Sequence, residues 1–222
     1  MMQIRMRILA FLVCLSLAGQ VAREANSGYK TSDERARVAA TLTSETRDER
    51  QKPNELVASM KLIPGSTVAD VGTGAGYMLP YLSAAVGSTG KVIAQDIFPD
   101  FLDRARSTAK SINNVQFVLG TEKDTKLAAG CCDAVLVVDA YHHFDYPKEM
   151  LASIRAALKP KGKLFLVEYH KSAEAMPNRR ALTHIRLDKE GFIHEVTSNG
   201  FRLVESHDHV PRSQWMATFE AQ

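Results

Sequence analysis

The stretch Val68-Ala69-Asp70-Val71-Gly72-Thr73-Gly74-Ala75-Gly76 sets the tightest constraint on this fold. A β-prone run ends in a turn that has almost no side chains. Glycine tolerates positive φ and lets another group lie directly against the backbone. Such a turn, when it leads into a helix, sets free N–H groups beside whatever it holds. In open parallel sheets, ligands bind beyond the carboxyl ends of the strands, where strand order reverses. The turn therefore predicts a parallel sheet with a ligand site above its first strand.

The rest of the chain supplies that sheet. Strands are predicted at residues 67–71, 91–96, 115–119, 134–138 and 164–168. Helices are predicted before, between and after them at 53–61, 76–86, 100–111, 147–158 and 187–199. Alternation with short connections means a doubly wound, mostly parallel sheet with helices on both faces. The last two strands, 201–206 and 215–219, are joined by too few residues for a crossover helix, so they pair antiparallel. The fold class is α/β, with seven strands and a C-terminal antiparallel pair.

Length and charge narrow the function. At 222 residues the chain suits one domain with one sizeable core. A net charge of +3, spread along the chain, lacks the dense basic patch that nucleic acid requires. Residues 1–22 read as a signal peptide: two arginines, the apolar run Ile8 to Ala18, then small residues, with cleavage after Ala18 preferred over Ala22. Residues 23–52 read as a polar helical or linker segment and 53–222 as the domain. Export to the periplasm or cell envelope follows if the leader is real, and a cytoplasmic location otherwise. No membrane span is expected in the mature chain. Cys14, Cys131 and Cys132 form neither a disulfide framework nor a zinc spacing.

Asp96 closes the second strand. A carboxylate there can accept from two ribose hydroxyls, so the turn is expected to hold a nucleoside. The dinucleotide fingerprint G-x-G-x-x-G is not met, because Tyr77 stands at the third glycine position. The pattern G-x-G-x-G after Asp70, the acid at Asp96 and the terminal strand pair together resemble the class I S-adenosylmethionine-dependent methyltransferases. Leu158-Lys159-Pro160-Lys161-Gly162 resembles that family's LKPGG turn, with Lys161 replacing a glycine. Within the class, the closest resemblance is to the ubiquinone/menaquinone-biosynthesis type. It covers roughly residues 50–220 and implies a Rossmann-like domain with S-adenosylmethionine as cofactor. It further implies that Asp70, Gly72, Thr73, Gly74 and Gly76 surround the amino-acid part, with Tyr77 lining the pocket. Asp96 would take the ribose. Ile97, Thr121 and Glu122 would border the adenine, and Asp139 would complete the cofactor side.

The implied reaction is in-line methyl transfer to a small-molecule acceptor over the fourth and fifth strands. His142 and His143 are the candidate bases, since imidazole titrates near neutrality. The competing reading of each is a residue that only packs and hydrogen-bonds under the cofactor. No metal is expected, because adjacent histidines in an extended chain point to opposite faces. The segment before Pro53 and residues 171–186 are expected to lid the acceptor pocket. The alternatives are a nicotinamide-dependent oxidoreductase and a non-catalytic binding protein on the same fold.

Overall fold

The structure, a computed structural model, describes residues 20–44 and 46–222. Most of the predicted leader, including the cleavage site after Ala18, lies outside the described residues. Strands β1 (Thr67–Val71), β2 (Lys91–Asp96), β3 (Val115–Leu119), β4 (Cys132–Val138), β5 (Leu158–Tyr169), β6 (Phe201–Val210) and β7 (Gln214–Ala221) form one sheet. Its order is β3-β2-β1-β4-β5-β7-β6. The first five strands are parallel, and β7 runs antiparallel to both β5 and β6. Strand order reverses between β1 and β4, so the crevice above those two ends is the expected ligand position.

Side chains alternate across each strand, and that alternation builds two cores. Helices α3 (Pro53–Met60), α4 (Leu79–Val86) and α5 (Pro99–Thr108) cover the face reached by Val68, Val92, Leu136 and Phe165. Helices α6 (Pro147–Ala157) and α8 (Lys189–Thr197) cover the opposite face, reached by Ala69, Val135, Leu166 and Trp215. Ahead of these lie α1 (Ser32–Leu42), with a capping box between Thr31 and Glu34, and α2 (Arg47–Gln51). The short α7 (Ala181–His184) lies in the segment between β5 and α8.

Three local expectations are corrected. Helix α4 starts at Leu79 rather than Gly76, because Gly76 holds φ +80°, which a right-handed helix excludes. Strand β5 begins at Leu158, six residues early, because Leu158 already pairs with Cys132. The substituted Lys161 there adopts φ +67°, the conformation a glycine would reach without strain. The terminal hairpin is longer than expected: β6 reaches Val210 and β7 starts at Gln214. Among the described residues no helix is long and apolar enough to cross a membrane.

Candidate functional site

A cavity of about 400 Å³ opens at the reversal point. That volume suits a small molecule. Its floor is the glycine turn. Gly72 (φ +76°) leaves room for a Cβ only 2.7 Å from the Ala140 Cβ, so no other residue fits there. Gly72 and Thr73 donate their N–H groups to the Gln95 carbonyl, both at 2.9 Å, which fixes the turn on the end of β2. Asp70, next to last in β1, and Asp96, the last residue of β2, stand in the wall, both buried. Asp70 accepts from Thr73 Oγ1 at 2.6 Å. Asp96 accepts from the Gly74 N–H at 2.9 Å and the Phe98 N–H at 3.0 Å. Burial raises both carboxyls to about 6.

Most residues expected on the cofactor side line this cavity: Asp70, Gly72, Thr73, Gly74, Tyr77, Asp96, Ile97, Thr121, Glu122 and Asp139. Gly76 does not. Its bare face meets Ala105, 2.9 Å from where a Cβ would stand, so it serves helix packing instead. Asp139 holds φ +50° just beyond β4 and accepts from Gln214 Nε2 at 2.7 Å. Burial, reinforced by the Glu168 charge, pushes its carboxyl up to about 7.

Sequence reasoning missed one contribution. Gln95 lines the cavity, and its buried amide nitrogen has no hydrogen-bond partner among the described residues. Its place beside Asp96 was the available signal. The segment before Pro53, expected as a lid, forms much of the roof: Asn26, Tyr29, Arg35, Leu42 and Arg47 all line the cavity. Arg47 stacks over Tyr77 at 3.9 Å. Asp48 accepts from Tyr77 Oη at 2.7 Å and Tyr81 Oη at 2.6 Å, and those two bonds hold its carboxyl below the usual range. Arg35 binds both oxygens of Asp100.

The histidines are arranged differently from the sequence expectation. Tyr141–His143 forms a 3-10 turn, not an extended strand, so the two adjacent rings sit together at 4.1 Å between centroids. His142 is buried and does not line the cavity; its Nδ1 lies 2.8 and 2.9 Å from the Glu168 oxygens. His143 lines the cavity, with Nδ1 2.8 Å from Asn26 Oδ1 and Nε2 3.3 Å from Tyr29 Oη. Burial holds it well below the usual imidazole range. His184, from the predicted lid, joins them, its Nε2 3.2 Å from His142 Nε2. His170 and His209 engage Asp208 and the Gln51 carbonyl elsewhere.

Strand order, the antiparallel β7 and the glycine turn under a buried β2 carboxylate define the class I S-adenosylmethionine-dependent methyltransferase fold. The profile of a family described as "Methyltransferase domain" matches residues 69–166. A solved S-adenosylmethionine-dependent methyltransferase from Aquifex aeolicus superposes with a TM-score of 0.76 at 24% identity, over 83% of this chain and 97% of that one. Protein-L-isoaspartate O-methyltransferase 2 of Archaeoglobus fulgidus is 30% identical over 109 residues, 48% of this chain and 47% of its own. The ubiquinone/menaquinone biosynthesis C-methyltransferase UbiE of Salmonella arizonae is 29% identical over 110 residues, 48% of this chain and 44% of its own. The chain thus spans less than half the length of these curated relatives.

Proposed function

We propose that this chain transfers a methyl group from S-adenosylmethionine to a small-molecule acceptor. The observation that carries the reading is the cavity floor, where a side-chain-free turn lies under two buried carboxylates at the ends of β1 and β2. S-adenosylmethionine would supply a methyl group activated on a sulfonium, ready for in-line transfer. Each Asp96 oxygen takes one backbone N–H and keeps lone-pair capacity for ribose hydroxyls. The unpartnered Gln95 amide suits an acceptor atom on the ligand. Asp70 and Asp139 suit a cationic one. The roof of Tyr29, Leu42 and Arg47 would shield a bound ligand from water, which would strengthen each of these interactions.

Where the acceptor must lose a proton, Asp139 is the best-placed base. It lines the cavity, and a carboxyl at about 7 changes state near neutral pH. His143, held neutral and already bonded at both nitrogens, orients rather than abstracts. His142 is a positioning residue, since it does not reach the cavity. The resemblance to the quinone-biosynthesis enzymes makes a hydroxylated ring the first acceptor to test. A nicotinamide site is disfavoured by Tyr77 and by β7, which runs against the all-parallel dinucleotide sheet.

Calorimetric titration of the full chain with S-adenosylmethionine, then S-adenosylhomocysteine, tests the reading. Saturable micromolar binding of both is expected. No heat from either with a folded protein, or tighter binding of NADH, overturns it.

Export remains part of the proposal, with cleavage after Ala18. Cleavage after Ala22 would remove Gln20, which lines the cavity, and the buried Ala22, whose N–H donates to Asp145 Oδ1 at 3.1 Å. N-terminal sequencing of the mature protein should begin at Gly19. A start at Arg23 counts against this cleavage site.

A further inference from the structure

Three imidazoles that methyl transfer does not itself require converge beyond the end of β4. One donor nitrogen from each of His142, His143 and His184 lies within 4.8 Å of the others. His142 Nε2 and His184 Nε2 are 3.2 Å apart. Two nitrogens on one tetrahedral zinc, with bonds of about 2.0–2.1 Å, are separated by about 3.3 Å.

Two of the rings are fixed from behind. Glu168, fully buried, takes His142 Nδ1 and also the His142 backbone N–H at 3.0 Å. Asn26 donates its amide to the His143 carbonyl at 3.0 Å and to Asp145 at 3.1 Å, so its oxygen must accept from His143 Nδ1. With Nδ1 protonated in each neutral ring, Nε2 carries the lone pair. An outer carboxylate or amide that holds Nδ1 is how proteins aim Nε2 at a metal. Charge points the same way. Among the described residues, the only ion-pair partner of Glu168 is His142. A cation on His142 Nε2 would stand one ring away from that buried carboxylate.

We propose that His142, His143 and His184 bind a divalent transition metal of the zinc type through Nε2, with Glu168 and Asn26 as positioning residues. Three histidines leave one open position. Tyr29 Oη, 3.3 Å from His143 Nε2, lies beside it, and both residues line the cavity. The position takes that hydroxyl or a ligand oxygen. Only this last step, an acceptor oxygen on the metal, rests on the methyl-transfer reading.

The test is titration of the chelator-treated full chain with cobalt(II), read by the visible bands of four-coordinate cobalt and by displacement with zinc. One equivalent per chain is expected, with loss of the bands in His184→Ala. Glu168→Gln should weaken binding roughly 10- to 100-fold. Circular dichroism checks the fold of each variant. No saturable cobalt or zinc binding by the folded wild-type chain overturns the proposal and leaves Glu168, His142 and His184 as a proton-sharing chain. Undiminished affinity in a folded His184→Ala overturns it too. The S-adenosylmethionine titration separates the two readings. Cobalt bound by a chain that ignores S-adenosylmethionine supports the metal site and sinks methyl transfer; the converse sinks the metal.

Discussion

Asp96 ties down the Gly74 and Phe98 amides, and under the proposed function the same carboxylate would also meet a ribose. Asp96→Ala therefore does more than remove a ligand contact: it leaves two backbone N–H groups without their partner. Unfolding free energy should fall by about 1–3 kcal/mol, measured in denaturant, while cofactor affinity drops at least about 100-fold. Full stability together with lost affinity would show that the turn holds without the carboxylate. Protonation has a matching effect. The Asp70 and Asp96 carboxyls sit at about 6 in the free protein, so both are ionised only above that pH. Affinity for S-adenosylmethionine should fall as pH drops through 6, by roughly tenfold per unit for each carboxylate the ligand needs ionised. A flat calorimetric profile between pH 5 and 8 would contradict that role.

At the scale of elements, the roof is tied lightly and the sheet heavily. Helix α2 meets the α4 region through Asp48, Tyr77 and Tyr81, all of them partly exposed. Asp48→Ala should cost only about 1 kcal/mol in stability. It should nevertheless speed amide exchange in residues 47–51 and hasten cofactor release severalfold, readable by exchange mass spectrometry and stopped flow. Strand β7 behaves differently. Trp215 is fully buried, 6.1 Å from the Phe192 ring, and its indole N–H has no partner among the described residues. Trp215→Ala should cost about 3–5 kcal/mol. Trp215→Phe should cost far less, because it also removes an unpaired polar group. Equal losses in the two variants would mean that the indole nitrogen is satisfied after all.

For the whole molecule, buried acids and buried imidazoles pull stability in opposite directions with pH. Asp139 titrates at about 7 when folded, against an ordinary value near 3.8. Between those values the folded state holds the extra proton, so its contribution to stability falls as pH rises through that window. His184 is lowered to about 3, chiefly by burial. There the unfolded state holds the extra proton, and stability rises with pH between about 3 and 6.5. Asp139→Asn keeps an oxygen for Gln214 and removes only the first effect. Its stability relative to wild type should climb between pH 4 and 8, by up to about 4 kcal/mol. A constant difference across that range would place Asp139 in a more solvated setting than its burial implies.

The sequence alone determined what short-range chemistry encodes. Strand and helix periodicity, the turn at Gly72 to Gly76 and the acid at the end of β2 each reside within a few neighbouring residues. Of these, Gly72, Thr73, Gly74 and Asp96 line one cavity, whereas Ala75 and Gly76 do not. Where local reading failed, a backbone dihedral or a strand pairing had overruled the pattern, as at Gly76, Leu158 and the Tyr141–His143 turn. Only the tertiary structure brought Asn26, His142, Glu168 and His184 to one point, and only it decided which residues of the expected N-terminal lid, Tyr29, Arg35 and Arg47 among them, line the cavity. Those contacts join segments up to more than a hundred residues apart. Sheet order decides which chain ends meet, and no local pattern of side chains records that order.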